Sequence, residues 1–105
     1  MTKIRIDVHW DAIQAFCLKW GVIEFALFGS VLRPDFGPES DVDVLLSFAP
    51  DAHPTLFNLV TMQDELEAVF GRKVDVIEKA AIEKSPNYIR RKSILKNPEV
   101  LYAAG

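Results

Sequence analysis

Two runs of aliphatic and β-branched residues each carry an acid at the centre, and that conflict constrains this chain more than any other feature. Asp41-Val42-Asp43-Val44-Leu45-Leu46 and Lys73-Val74-Asp75-Val76-Ile77 both read as strands. Alternate side chains of a strand share a face, so Asp41 and Asp43 project together, about 6.5–7 Å apart along the chain. The run around Asp43 is so apolar that its carboxylate is expected to be at least partly buried, and a buried charge needs a metal or a partner. Carboxylates this close repel unless a cation lies between them, and hard divalent ions such as Mg²⁺ take oxygen ligands of this kind. If the two strands are neighbours, Asp41, Asp43 and Asp75 converge on one spot.

A small-residue turn stands ahead of these acids. Phe25-Ala26-Leu27-Phe28 reads as a strand running into Gly29-Ser30, and ten residues separate Ser30 from Asp41. Glycine at 29 lets the backbone approach a ligand closely, and Ser30 adds a hydroxyl and an N–H able to point at phosphate oxygens. A lone Gly-Ser is an ordinary turn, and a lone Asp-x-Asp is often a solvated strand face. Together, a phosphate cradle and metal-binding carboxylates are the equipment for phosphoryl or nucleotidyl transfer.

The bulk properties narrow the setting. A chain of 105 residues, half of them hydrophobic, is expected to form one domain spanning 1–105. No apolar stretch approaches the ~20 residues needed to cross a bilayer, and Met1-Thr2-Lys3-Ile4-Arg5 lacks the core of a signal peptide, so a cytoplasmic protein without a membrane partner is expected. Cys17 has no second cysteine to pair with, and it shares the apolar side of a helix with Ile13, Phe16 and Trp20. The net charge of −3 argues against direct nucleic-acid binding. It is unevenly spread: residues 1–71 hold four Lys/Arg against eleven Asp/Glu, whereas 72–96 hold eight against three. Such asymmetry marks either a site for an acidic partner or a solvated helix face.

The elements read helix, strand, turn, strand, helix, strand, helix. A helix over 8–20 stops at Gly21, a strand follows over 22–28, and one short helical turn fits near 30–33 before the loop containing Pro34, Gly37 and Pro38. The strand at 41–48 precedes a helix from about Thr55 to Phe70, with Leu59, Met62, Leu66, Val69 and Phe70 inward and Gly71 closing it. After the strand at 73–77, Ser85-Pro86 predicts the start of a last helix through about Leu95, ended by Asn97-Pro98. Three strands with helices between them make a small α/β sandwich.

Gly29-Ser30, the ten-residue gap and Asp41-x-Asp43 resemble the signature of the DNA polymerase beta-like nucleotidyltransferase superfamily. The Ala26-Leu27-Phe28 lead-in and the Lys73-Val74-Asp75 strand are similar to its minimal nucleotidyltransferases, from about Trp20 to the Glu99-Val100-Leu101-Tyr102 end. The resemblance implies an α/β (α+β) fold with a small mixed sheet of three to four strands. It implies an antitoxin that neutralises a HEPN-domain ribonuclease toxin by moving AMP from ATP to a toxin tyrosine. By the same resemblance Asp41, Asp43 and Asp75 would hold two Mg²⁺ ions, and Gly29 and Ser30 the β- and γ-phosphates. Asp75 would also help to accept the tyrosine proton, and Arg33 would meet the triphosphate. Related enzymes acting on antibiotics or RNA usually add a further domain to hold the acceptor, so a chain this short favours a protein that supplies that surface itself. Stoichiometric binding without catalysis, and transfer to a small molecule such as an aminoglycoside, are the competing readings.

Overall fold

Four strands in the order β3-β2-β1-β4 form a mixed sheet at the centre of the computed structural model, which describes residues 8–29, 37, 40–96 and 98–104. In chain order the elements are α1 (Trp10–Trp20), β1 (Val22–Phe28), β2 (Val42–Phe48), α2 (Leu56–Phe70), β3 (Val74–Glu78), α3 (Lys79–Glu83), α4 (Tyr88–Leu95) and β4 (Glu99–Ala103). β1 pairs antiparallel with β2 and with β4, and β2 pairs parallel with β3. A parallel pair needs a crossover connection, and α2 supplies it.

Strand alternation sorts the side chains into two apolar layers. Phe25 and Leu27 of β1, Val42, Val44 and Leu46 of β2 and Val74 of β3 join Ile13, Phe16 and Cys17 of α1 and Met62 and Leu66 of α2 in the main core. Phe16 meets Phe25 edge-to-face with ring centroids 5.9 Å apart. Such a pair adds roughly 0.5–1.5 kcal/mol to simple burial. The opposite face carries Ala26, Phe28 and Leu45, covered by Ile82 of α3 and Ile94 of α4. Asp43 has the parity of Leu45, so its side chain belongs to this second face.

Local chemistry sets the element ends. Thr55 caps α2 by accepting from the Asn58 N–H at 3.1 Å, and the Asn58 side chain accepts from the Thr55 N–H at 2.9 Å. α1 and α2 stop at Gly21 and Gly71, as their sequences predict. The last helix starts later than Ser85-Pro86 suggests. Ser85 Oγ accepts from the Asn87 N–H, and Asn87 is the residue whose side chain caps α4 at Arg90. Asparagine is at least as good a cap as serine, and the hydroxyl turn carries the chain past Pro86. Two elements go beyond the pattern read from sequence. α3 is one short turn after β3, and β4 returns antiparallel along the outer edge of β1. Cys17 is buried as expected, and burial pushes its thiol up to about 12. Among the described residues no helix is long and apolar enough to cross a membrane.

Candidate active site

The register of β2 decides where the acids lie. Asp43 stands opposite Phe28 of β1 on one side and opposite Asp75 of β3 on the other. Paired residues on neighbouring strands share a face at a spacing of about 4.8 Å, so the two carboxylates are directly juxtaposed. Like charges in that position destabilise a sheet unless something of opposite sign meets them. Asp43 is half-buried and Asp75 exposed, which makes the pair the floor and rim of an opening on the second face. That opening is a cleft of about 530 Å³, lined on the sheet side by Phe28, Asp43, Asp75 and Ile77 and on the other side by α4.

Gly29, the residue after β1, faces Asp43. Its φ of +76° is in the left-handed region, and a Cβ built there would fall on Oδ2 of Asp43. Only glycine leaves the carboxylate room and takes this backbone conformation without strain. The predicted approach of backbone at Gly29 is therefore an approach to the acid itself.

The stretch before β2 is held from a distance. Arg72 Nη1 donates to the carbonyls of Gly37 and Ser40 at 3.0 and 3.1 Å, and the Val42 N–H donates to the Lys73 carbonyl at 2.9 Å. The residues opening β3 thus fix the entry to β2 and with it the position of Asp41. Asp41 is exposed just ahead of the strand and does not line the cleft, whereas Asp43 and Asp75 do. Among the described residues, no group of three or more His, Cys, Asp or Glu stands together as a metal site. Ser30 and Arg33, expected to meet the phosphates, lie outside the described residues, as does the short helical turn expected near 30–33.

Two features of the site escaped the sequence reading. The tie from Arg72 joins residues more than thirty apart in sequence and follows only from the parallel pairing. The wall formed by α4 places Asn87, Arg90 and Ser93 in the same cleft as the acids. A basic run at 90–92 signals a charged helix but does not say which of its members faces the sheet. The oxygen-only donors of Asp43 and Asp75, in register and half open to solvent, fit a hard cation such as Mg²⁺.

A mixed four-stranded sheet with an acid pair at the junction of its parallel strands, behind a tight glycine, defines the class. The chain belongs to the nucleotidyltransferase domain family, whose model matches residues 11–98. It is 34% identical over 64 residues to the protein adenylyltransferase MntA of Thermococcus cleftensis, covering 61% of this chain and 63% of that protein. The chain thus spans somewhat less than two thirds of that relative. It is 36% identical over 73 residues to MJ0128 of Methanocaldococcus jannaschii, a candidate protein adenylyltransferase, covering 70% of each. A solved structure of a candidate minimal nucleotidyltransferase superposes with a TM-score of 0.64 at 26% identity over 85% of both chains. A toxin–antitoxin crystal structure with AMP-PNP shares the fold, with a TM-score of 0.69 at 13% identity over 92% of this chain and 75% of that one.

Proposed function

We propose that this chain is a protein adenylyltransferase that acts as an antitoxin, moving AMP from ATP to a tyrosine of a HEPN-domain ribonuclease toxin with which it forms a hetero-oligomer. The observation that carries the reading is the direct pairing of Asp43 with Asp75, beside a glycine whose missing side chain leaves space for the Asp43 carboxylate. The adenylyltransferase relatives and the toxin–antitoxin neighbour support the choice of AMP and of a protein acceptor.

In the proposed reaction the tyrosine oxygen attacks the α-phosphorus of ATP. A new P–O bond forms, the bond to the β-phosphate oxygen breaks, and pyrophosphate leaves with that electron pair. Asp43 and Asp75 line the cleft and would hold Mg²⁺ there, and Asp41, just ahead of β2, would have to turn toward the cleft to complete a site for two ions, which neutralise triphosphate charge and make the hydroxyl a better nucleophile when bound. A phenol with a pKa near 10 is almost wholly protonated at neutral pH, so its proton needs an acceptor. Asp75, exposed on the rim of the cleft, is the carboxylate an incoming side chain reaches first, and it takes the role of proton acceptor. Gly29 and Ser30 offer backbone N–H groups and a hydroxyl to the β- and γ-phosphates, and Arg33 a positive charge.

The test uses radiolabelled ATP and a co-purified toxin. Label should appear on the toxin only with Mg²⁺ present, and Asp43→Asn, which removes charge at constant volume, should abolish it while the melting curve stays cooperative. If Asp43→Asn protects cells as well as the parent does, neutralisation is by binding and the catalytic reading fails. Label transferred to small-molecule hydroxyls but never to the toxin would move the acceptor to that class.

A further inference from the structure

The cleft that contains Asp43 and Asp75 has a second wall, from α4, which the acids do not explain. Ile89 on that wall is 79% exposed, one of several large apolar side chains left open and the one that lines this cleft with the acids. Beside it stands Arg90, the one cationic side chain among the described lining residues. Its neighbours on α4 are already engaged. Arg91 donates to the Ser85 carbonyl at 2.9 Å and lies 5.6 Å from the centre of the Tyr88 ring, and Lys92 lies 5.9 Å from the same ring. The Arg90 guanidinium makes no hydrogen bond, ion pair or ring contact among the described residues. Asn87 uses its carbonyl oxygen to cap the helix at the Arg90 N–H, which leaves its amide N–H groups free to donate into the cleft.

We propose that this wall seats the base of the nucleotide, with the flat guanidinium of Arg90 stacked on the purine and Ile77 and Ile89 enclosing it. The assignment rests on the nucleotidyltransfer reading above. If the β- and γ-phosphates sit at Gly29 and the reacting α-phosphate at the acids, the nucleoside continues beyond Asp75, and α4 is what lies there. The lining chemistry agrees. A polyphosphate calls for several cations, whereas aliphatic side chains, one planar cation and an amide suit a flat aromatic ring with hydrogen-bonding edges. Arginine stacks on such rings through both its plane and its charge.

Calorimetric titration of the parent, Arg90→Ala and Arg90→Lys with ATP and with inorganic tripolyphosphate, both in Mg²⁺, tests the assignment. Arg90 is exposed, so neither variant threatens the fold, and a melting curve confirms it. Arg90→Ala should bind ATP roughly tenfold more weakly and tripolyphosphate like the parent. Arg90→Lys, with the charge but not the plane, should stay weaker than the parent for ATP. Equal weakening towards both ligands would make Arg90 a phosphate ligand and overturn the proposal. So would full rescue by lysine, or ATP binding that is unchanged in the alanine variant. A parent that binds neither ligand would sink the transferase reading of the whole site, and this assignment with it.

Discussion

Gly29 concentrates two demands in one residue, a left-handed backbone and an empty Cβ position against Asp43. Gly29→Ala should lower stability by about 1–2 kcal/mol, the usual range for a side chain forced into that conformation. The clash falls on the far end of a flexible side chain, so the carboxylate yields before the backbone does. Transfer activity should therefore fall far more than stability, at least tenfold, and comparing the melting temperature with the labelling rate of one preparation separates the two. Glu65 illustrates a different kind of residue, which ties α2 to α1 and does not line the cleft. Its carboxyl is held below the ordinary carboxylate value chiefly by the hydrogen bond from Lys19, at 2.5 Å, and then by that from Trp20 Nε1, at 2.9 Å. A depressed folded pKa stabilises the protein above the unfolded value and loses that stabilisation as pH falls through the folded value. Glu65→Gln should thus be less stable than the parent at pH 7 and by a smaller margin at about pH 3, below the ordinary Glu value. The difference should stay under about 1 kcal/mol, because the Lys19 side chain is 58% exposed. Denaturant melts at both pH values would read it, and a difference that persists undiminished in acid would contradict the ion-pair account.

Among the elements, α2 was the most legible. Its apolar spacing, the closing Gly71 and Thr55 three residues before Asn58 all point to the helix that forms, and Met62 and Leu66 are its buried residues. Thr55→Ala should cost about 1 kcal/mol by removing the cap, measurable as a lower denaturation midpoint at unchanged slope. β1, β2 and β3 were legible within a residue, because each is a short β-branched or aromatic run bounded by Gly, Pro or charge. β4 was not. Glu99-Val100-Leu101-Tyr102 follows Pro98 at the end of the sequence and reads as a tail until β1 is known to need a second neighbour. α3 has five residues, too few to display a helical period. At the site, the acids announced themselves by sitting in apolar strands, while the pairing of Asp43 with Asp75 depended on a parallel register that no local pattern encodes. The basic excess over 72–96 left open a site for an acidic partner or a solvated helix face, without saying which residue faces what. In the structure Arg91 is tied to the Ser85 carbonyl and Arg90 takes the cleft, so charge reversal at 91 would disturb the turn into α4 as well as the surface.

For the whole molecule, the sheet order places the two paired acids on strands of unequal security. β2 is central, hydrogen-bonded on both sides, whereas β3 is an edge strand bonded only to β2, and its start is tied to α2 by the Val74 N–H on Glu67 at 3.2 Å. Amides on edge strands open locally at less free energy than those at the centre. In the free protein, deuterium uptake should therefore be slowest in β1 and β2 and faster in β3 and β4. Adding Mg²⁺ and ATP together should slow uptake in β3 and leave β4 unchanged, as only β3 carries a residue of the site. Equal slowing of both edges would mean general stiffening instead. Half of the charge pair thus rides on an edge strand, which the fold holds less tightly than the central strand that carries the other half. A ligand filling the cleft would press on β3 through Asp75 and Ile77 and brace that edge strand from its face.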